Sequence, residues 1–199
     1  MLQPRIQTGR LECGTDEAGR GCLAGPVTAA AIILPEDFKH PLLKDSKALT
    51  AKQRLTIEPI LKEAALSYAV VHVHNEEIDS LNILQASVVA MHRAIAKLNL
   101  QPDFIAVDGN YFKAYPNIEH QCIVKGDAKF LHIAGASILA KNARDRYMEE
   151  LDNEYPGYDW KKNKGYPTKA HRHAIAKMGI TPYHRISFKL LPDQLSLDL

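Results

Sequence analysis

Residues 14–34 read Gly-Thr-Asp-Glu-Ala-Gly-Arg-Gly-Cys-Leu-Ala-Gly-Pro-Val-Thr-Ala-Ala-Ala-Ile-Ile-Leu and place two adjacent carboxylates, Asp16 and Glu17, next to an apolar run. The run from Val27 to Leu34 predicts a buried strand, and residues 11–16 predict the other arm of a hairpin. Adjacent acids repel, and burial adds a desolvation cost that a bound cation offsets. This stretch therefore predicts a strand pair with a divalent metal site at one end.

Two glycines flank an arginine in the connection between these strands, as Gly19-Arg20-Gly21. Because glycine has no Cβ, the backbone here can approach a phosphate or a sugar closely. The combination predicts metal-dependent chemistry on a phosphate compound.

The remaining pattern alternates strands and helices and predicts an α/β fold. Apolar runs predict further strands, and a helical period of apolar residues or a capping pattern predicts helices. The predicted strands and helices are 68–73, 104–108 and 121–125, and 50–66, 82–98, 131–151 and 168–178, respectively.

Acids follow two of these later strands, as Asp108 and Asp127. Open α/β sheets bind ligands at the carboxyl ends of their strands, so we expect both acids to lie near Asp16 and Glu17. Four carboxylates without a thiolate or imidazole suit a pair of hard cations, Mg²⁺ or Mn²⁺. The alternative for Asp108-Gly109 and Gly126-Asp127 is an ordinary turn, since Asp and Gly are common turn residues.

Composition limits the class of protein. The chain has 199 residues, 46% of them hydrophobic, a net charge of +2 and three cysteines without the spacing of a zinc site. These values predict one globular domain in a reducing cytoplasm, and no run is long enough to span a membrane. Lys and Arg outnumber Asp and Glu between residues 125 and 189. This bias favours a phosphate polymer as the partner, and the alternative is a solvated charged face.

Seven ordered motifs resemble the ribonuclease HII family, the bacterial type 2 ribonucleases H. They are DEAGRGCLAGPV (16–27), DSK (45–47), NIL (82–84), VDG (107–109), KGD (125–127), ASILAK with RDR (136–141 and 144–146) and KGYPT (164–168). The resemblance implies an endonuclease that cuts the RNA strand of RNA–DNA hybrids and incises at single ribonucleotides embedded in duplex DNA, leaving 3′-hydroxyl and 5′-phosphate ends. It also implies a ribonuclease H-like fold, with a five-stranded mixed sheet flanked by helices and a helical C-terminal part.

The resemblance also implies roles for individual residues. Asp16, Glu17, Asp108 and Asp127 match the acids that hold two metal ions, and Asp145 is the alternative to Asp127. We expect Asp145 instead to form an ion pair with Lys141 one helical turn earlier. The matched substrate-binding residues are the 2′-hydroxyl-contacting Gly19, Arg20 and Gly21, the sugar-stacking Tyr166, and the phosphate-contacting Lys47, Ser137 and Lys141.

Three other functions stay open at this point. A ribonuclease HIII would carry another residue in place of Arg20 and a further N-terminal domain. A catalytically silent nucleic-acid binder would lack one of the acids, and all four are present. A hydrolase of a small phosphorylated metabolite fits the acids but not the basic C-terminal half.

The last residues carry a separate pattern. We predict a catalytic domain over residues 1–180 and a C-terminal extension over 181–199, in a protein that acts as a monomer. The final hexapeptide resembles the motif by which bacterial repair proteins bind the DNA sliding clamp, with Gln194, Leu195, Leu197 and Leu199 as the matching positions. The alternative is a packed terminal strand, since short motifs also arise by chance.

Overall fold

A computed structural model describes residues 2–44 and 49–192 of the chain. Its central sheet has five strands, namely β1 (Glu12–Ala18), β2 (Val27–Ile33), β3 (Ser67–Val73), β4 (Phe104–Asp108) and β5 (Glu119–Ile123). Their order is β3-β2-β1-β4-β5, with antiparallel pairing from β3 to β1 and parallel pairing from β1 to β5. This arrangement confirms the five-stranded mixed sheet that the family resemblance implies.

Six α-helices lie within the described residues, together with 3₁₀ turns that include Pro41–Lys44 and Gly126–Ala128. The helices are α1 (Ala51–Ala64), α2 (Asn75–Leu81), α3 (Ile83–Ala96), α4 (Leu131–Glu154), α5 (Trp160–Asn163) and α6 (Lys169–Met178). The predicted capping box of α1 is present, because Thr50 and Gln53 exchange backbone and side-chain hydrogen bonds. Thr168 caps α6 as expected.

The sheet is covered on both faces by helices. Apolar residues of α3 pack against one face, and those of α1 and α4 pack against the other. The approach of α4 to β1 is close, since a Cβ at Gly14 would lie 2.4 Å from the carbonyl carbon of His132. Glycine at this position therefore lets α4 run directly over the strand that carries Asp16 and Glu17.

Some local features of the structure differ from the sequence-based prediction. The last strand is Glu119–Ile123 and not 121–125, because Lys125 adopts a left-handed conformation (φ 58°) that ends the extended chain. Asn82, also with positive φ (68°), separates α2 from α3 and caps α3 with its side chain. Neither α2 nor α5 was predicted, because both are short and lack a repeated apolar stripe.

A third core cluster joins the end of α4 to α5, α6 and the chain beyond them. Trp160, Met148 and Leu190 are buried in this cluster. Residues after 180 thus pack against the rest of the domain as far as Leu191, which is partly buried there. None of the helices in the described ranges has both the length and the apolar character needed to cross a membrane.

Candidate active site

Two of the predicted acids lie side by side on neighbouring parallel strands. Thr15 of β1 pairs with Val107 of β4, so Asp16 and Asp108 are the next residues at the carboxyl end of both strands. Asp16 is buried, with 5% of its surface exposed. The parallel register of β1 and β4 therefore brings Asp16 and Asp108 to one edge of the sheet.

The position of Asp16 disfavours its charged form. Burial raises its pKa well above the ordinary value, and the negative charges of Glu17 and Asp108 raise it further. A hydrogen bond from Ser137 and the positive charge of Lys141 act in the opposite direction. The Lys141 ammonium donates to the Ser137 hydroxyl at 2.8 Å, so α4 supplies a short hydrogen-bonded chain from a cation to this carboxylate.

The next two carboxylates are perturbed in the same direction. Burial raises the pKa of Glu17, with Asp108 adding to the shift, although Arg20 lies 3.2 Å from the Glu17 carboxylate and opposes it. Burial also raises the pKa of Asp108, and the charge of Asp127 raises it further. Asp108 Oδ1 accepts a hydrogen bond from the amide of Gly126 at 2.7 Å, which lowers the pKa in part.

Asp127 reaches this edge by a different route from the one predicted. It lies in the 3₁₀ turn Gly126–Ala128 and not directly after a strand. The left-handed Lys125 begins that turn, and the amide of Asp127 lies 3.4 Å from Asp108 Oδ1. The turn thus places Asp127 close enough to Asp108 for their charges to interact.

Asp145 has a different partner from the one predicted. The guanidinium of Arg54 in α1 binds its carboxylate at 2.7 Å, while Lys141 binds Ser137 instead. The expected Asp145–Lys141 pair was wrong because sequence spacing along α4 does not reveal the cation that α1 supplies.

The four acids do not already surround a common point. Among residues 2–44 and 49–192, no three His, Cys, Asp or Glu side chains are arranged to hold a metal ion. Two of the carboxylates are engaged elsewhere, Glu17 with Arg20 and Asp108 with backbone amides. The oxygen-only donor set suits a hard cation.

The Gly19-Arg20-Gly21 segment begins directly after β1. Gly19 is buried with φ +93°, and a Cβ there would lie 2.0 Å from Nε of Arg144. Arg20 and Gly21 are exposed, and a Cβ on Gly21 would meet no atom within 4 Å. The two glycines therefore have different roles. Gly19 leaves room for the Arg144 side chain, whereas Gly21 leaves the space outside the loop open.

Two buried arginines hold the loop of residues 19–26. Arg144 donates to the carbonyls of Pro26, Ala24 and Lys164 at 2.9, 3.1 and 2.7 Å. Arg185 binds further carbonyls of the same loop. Neither role was predicted from the sequence, since an arginine in a charged segment gives no sign that it is buried.

Tyr166 borders the same loop with an exposed ring. About half of the residue (47%) is exposed, and its ring centroid lies 6.0 Å from the Arg144 guanidinium carbon. The loop before it is fixed by a hydrogen bond of 2.8 Å from the Leu23 amide to the Gly165 carbonyl. The ring is thus held beside the glycine segment with a face available to a ligand.

A small pocket includes two of the acids. Its lining residues include Glu17, Asp108 and Arg20 together with Leu84, Ser87 and Tyr111. The sequence motif that contains Leu84 marks part of this lining, whereas no sequence signal marks Tyr111.

Five predicted residues lie outside the described ranges. These are the phosphate-binding candidate Lys47 and the clamp-binding candidates Gln194, Leu195, Leu197 and Leu199.

Comparison with known proteins decides the family. The family model described as Ribonuclease HII matches residues 13–191. The chain belongs to the ribonuclease HII family. It is 60% identical to the ribonuclease HII of Christiangramia forsetii over 93% of both chains, and 59% identical to that of Parabacteroides distasonis over 99% of both. The protein is therefore a ribonuclease H, an enzyme that hydrolyses the RNA of RNA–DNA hybrids.

Solved structures share the fold at lower identity. Ribonuclease H2 from Pyrococcus horikoshii has a TM-score of 0.75 and 26% identity, covering 90% of this chain and 94% of that one. The Archaeoglobus fulgidus ribonuclease HII, solved in a complex with PCNA, has a TM-score of 0.75 and 24% identity, covering 94% and 98%. Bst ribonuclease HIII, solved with Mn²⁺, has a TM-score of 0.72 and 20% identity, covering 92% and 69%.

Proposed function

We propose that this ribonuclease H also incises duplex DNA on the 5′ side of single embedded ribonucleotides, and that it does so with two divalent cations held by Asp16, Glu17, Asp108 and Asp127. The products carry 3′-hydroxyl and 5′-phosphate ends. The observation that carries the proposal is the crowding of these acids at one sheet edge, where burial and, after it, the mutual repulsion of their charges raise the pKa of Asp16, Glu17 and Asp108. Such repulsion is costly unless positive charge is bound there.

The donor set supports Mg²⁺ or Mn²⁺ as that charge. All four groups offer carboxylate oxygen, the ligand that both ions prefer. The Mn²⁺ complex of Bst ribonuclease HIII, which shares the fold, supports this choice by analogy. When bound, a pair of such ions would activate a water and stabilise the leaving oxygen of the phosphodiester.

The chain's own residues hold and orient the substrate around this edge. Ser137 and Lys141 favour the ionised form of Asp16, and Lys141 offsets negative charge as a phosphate approaches. Lys47 is proposed to bind a further phosphate. These contacts position the backbone of the nucleic acid and carry no preference for RNA over DNA.

In this proposal, the glycine segment and Tyr166 select the ribonucleotide. The 2′-hydroxyl is the group that distinguishes RNA from DNA at a given position. We propose that the backbone of Gly19-Arg20-Gly21 binds this hydroxyl and that the Tyr166 ring stacks on the sugar. The exposure of Arg20, Gly21 and the Tyr166 ring supports this assignment.

The C-terminal residues are proposed to bind the sliding clamp. Gln194 and the three leucines at 195, 197 and 199 suit an extended peptide whose apolar side chains enter a groove. The PCNA complex of the Archaeoglobus fulgidus relative supports the proposal by analogy. Since residues 181–191 pack against the domain, we assign the clamp role to residues 194–199 within the predicted extension 181–199. The catalytic domain of residues 1–180 acts as a cytoplasmic monomer in this proposal.

The test compares two substrates and two variants. Wild-type protein should cleave an RNA–DNA hybrid and a DNA duplex with one ribonucleotide, with Mg²⁺ and with Mn²⁺. Asp16→Asn and Asp108→Asn should each lower kcat by about a hundredfold or more, which equals about 2.7 kcal/mol of barrier. Affinity for duplex should persist because removal of a negative charge relieves repulsion of phosphate.

Two results would contradict the proposal. Failure of the wild-type enzyme to cut a DNA duplex with one ribonucleotide would exclude the incision activity. Near wild-type cleavage by both asparagine variants at saturating metal would exclude the four-acid metal site.

A further inference from the structure

Arg185 lies in the segment after α6 and is fully buried. Its guanidinium donates to the carbonyls of Gly25, Arg20 and Gly19 at 3.0, 2.9 and 2.8 Å. Burial lowers its pKa to about 10, so the side chain stays charged at neutral pH. A buried cation is costly unless it is fully hydrogen-bonded, and here the glycine-containing loop supplies the acceptors.

The backbone around Arg185 fixes the distance between this side chain and the loop. The Gly25 amide donates to the Tyr183 carbonyl at 2.9 Å, and the Arg185 amide donates to the Leu23 carbonyl at 2.8 Å. Ala24 and His184 form an antiparallel bridge between these bonds. The C-terminal segment thus pairs with one end of the loop while its arginine side chain reaches the other.

The direction of these hydrogen bonds determines where two amides point. In a planar trans peptide the C=O and N–H groups point in opposite directions. With the Gly19 carbonyl bound to Arg185, the N–H of Arg20 faces away from the guanidinium. With the Arg20 carbonyl also bound, the N–H of Gly21 does the same.

The same two amides have no acceptor among the described residues. Neither the Arg20 nor the Gly21 N–H donates to a backbone or side-chain group there, and both residues are exposed. An exposed pair of free donors beside the carboxylate edge is available to an oxygen of the substrate.

We propose that Arg185 is a positioning residue that orients the Arg20 and Gly21 amides toward the substrate's 2′-hydroxyl and thereby sets the preference for a ribonucleotide. The inference rests on the proposed function of the glycine segment. Arg144 differs in role, because its loop acceptors lie at the other end of the loop and it donates to neither the Gly19 nor the Arg20 carbonyl.

The test measures preference as well as activity. Arg185→Lys keeps a positive charge but cannot bind three carbonyls in a planar fork. Ile175→Ala, in the apolar cluster that joins α4, α5 and α6, serves as a control for lost stability. Affinities are measured by fluorescence anisotropy for a DNA duplex with one ribonucleotide and for the all-DNA duplex of equal sequence. Ca²⁺ replaces Mg²⁺, and the duplex is checked for cleavage. All measurements are made below the melting temperature of every variant.

We expect Arg185→Lys to reduce the preference for the ribonucleotide duplex by roughly five- to tenfold, the scale of one or two hydrogen bonds. Affinity for the all-DNA duplex should change less than about twofold, because phosphate contacts supply it. Ile175→Ala should keep the wild-type preference. Cleavage of the ribonucleotide duplex by Arg185→Lys should show a matching loss in kcat/KM.

The failures are distinguishable. A wild-type preference that Arg185→Lys retains overturns the positioning role alone. Equal affinity of the wild-type protein for both duplexes overturns 2′-hydroxyl recognition and, with it, the role of Arg185. If Arg185→Lys does not fold, the amide resonances of wild-type Arg20 and Gly21 provide the test: they must shift with the ribonucleotide duplex and not with the all-DNA duplex, and the absence of that difference overturns the proposal.

Discussion

The carboxylate edge of the sheet and the glycine-containing loop next to it are stabilised in opposite ways. At the edge, like charges gather, and Asp16 and Asp108 both have raised pKa values. Behind the loop, Arg144 and Arg185 are buried cations that donate to its backbone carbonyls. A cation bound at the edge would therefore relieve repulsion there, whereas the charges of the two arginines are already used to hold the loop backbone in place.

This difference predicts different sensitivities. A change that removes charge but keeps shape should affect the edge most, since its chemistry depends on charge. A change that adds volume but no charge should affect the loop most, since the loop depends on close backbone approach. The substitutions below separate these two expectations.

The largest effect should come from a substitution that removes a charge at the edge. Asp127→Asn should lower kcat by about a hundredfold, or about 2.7 kcal/mol of barrier, because it removes a proposed metal ligand. Asp145→Asn should lower kcat far less, because Asp145 is paired with Arg54. Steady-state cleavage of an RNA–DNA hybrid by both variants measures the difference.

Thermal unfolding of the same variants supplies the control. The Arg54–Asp145 pair is partly exposed, so its loss should cost less than about 1 kcal/mol of stability. The reverse order of activity, with Asp145→Asn more damaging, would mean that Asp145 is the fourth acid.

A smaller and opposite contrast should appear within the loop. Gly19→Ala should destabilise the protein by at least about 1–2 kcal/mol, the cost of a left-handed backbone for a residue with a Cβ. Its Cβ would also displace Arg144. Gly21→Ala should leave the free energy of unfolding within about 0.5 kcal/mol of wild type, as expected for an open site.

Activity then distinguishes the two glycines further. Gly21→Ala should lower cleavage of both the hybrid and the single-ribonucleotide duplex, because its Cβ enters the space of the approaching sugar. Urea unfolding and cleavage assays are done on the same preparations. Full activity of Gly21→Ala on both substrates would mean that the substrate does not approach this residue closely.

The elements that could be predicted are those with a strong local pattern. The apolar runs of β2 and β4 and the caps of α1 and α6 lie where the sequence indicates. The end of β5 could not be predicted, because the polar residues of this edge strand lack an apolar run and Lys125 adopts positive φ without being glycine.

The carboxylates could be predicted from local sequence, whereas the residues that hold the loop could not. Acids after apolar runs can be recognised in the sequence, and Asp16 and Asp108 do lie at one sheet edge. The burial of Arg185 depends on the C-terminal segment folding back across residues 19–25, a contact that local sequence does not encode. Tertiary hydrogen bonding to backbone carbonyls leaves no periodic signal.

The smallest effect concerns two neutral histidines, His171 and His184, behind Tyr166. His171 donates from Nδ1 to the Tyr166 carbonyl and accepts at Nε2 from Trp160. His184 accepts at Nδ1 from the Thr181 amide, which leaves its other nitrogen to donate to His171. Every acceptor nitrogen faces a donor, so protonation of either ring would place two donors face to face.

Stability should therefore fall as the pH is lowered. Burial lowers the pKa of His184 to about 4, with the neighbouring His171 adding to the shift, and burial also lowers the pKa of His171. The unfolded chain takes up these protons near the ordinary value of 6.5 and the folded protein does not. The stabilisation is complete above about pH 6.5 and is lost progressively as the pH falls toward 4.

Urea unfolding at pH 7 and pH 5 measures this loss against a matched control. His184→Gln should be less stable than wild type at pH 7, but its stability should fall by about 1–2 kcal/mol less between the two pH values. His173→Gln alters an exposed residue on α6 and should keep the wild-type pH dependence. Other groups that titrate in this range, such as His72, are common to both variants and cancel in the comparison. An unchanged pH slope in His184→Gln would mean that His184 takes up its proton over the same pH range in the folded protein as in the unfolded chain, which would contradict the neutral hydrogen-bonded arrangement behind Tyr166.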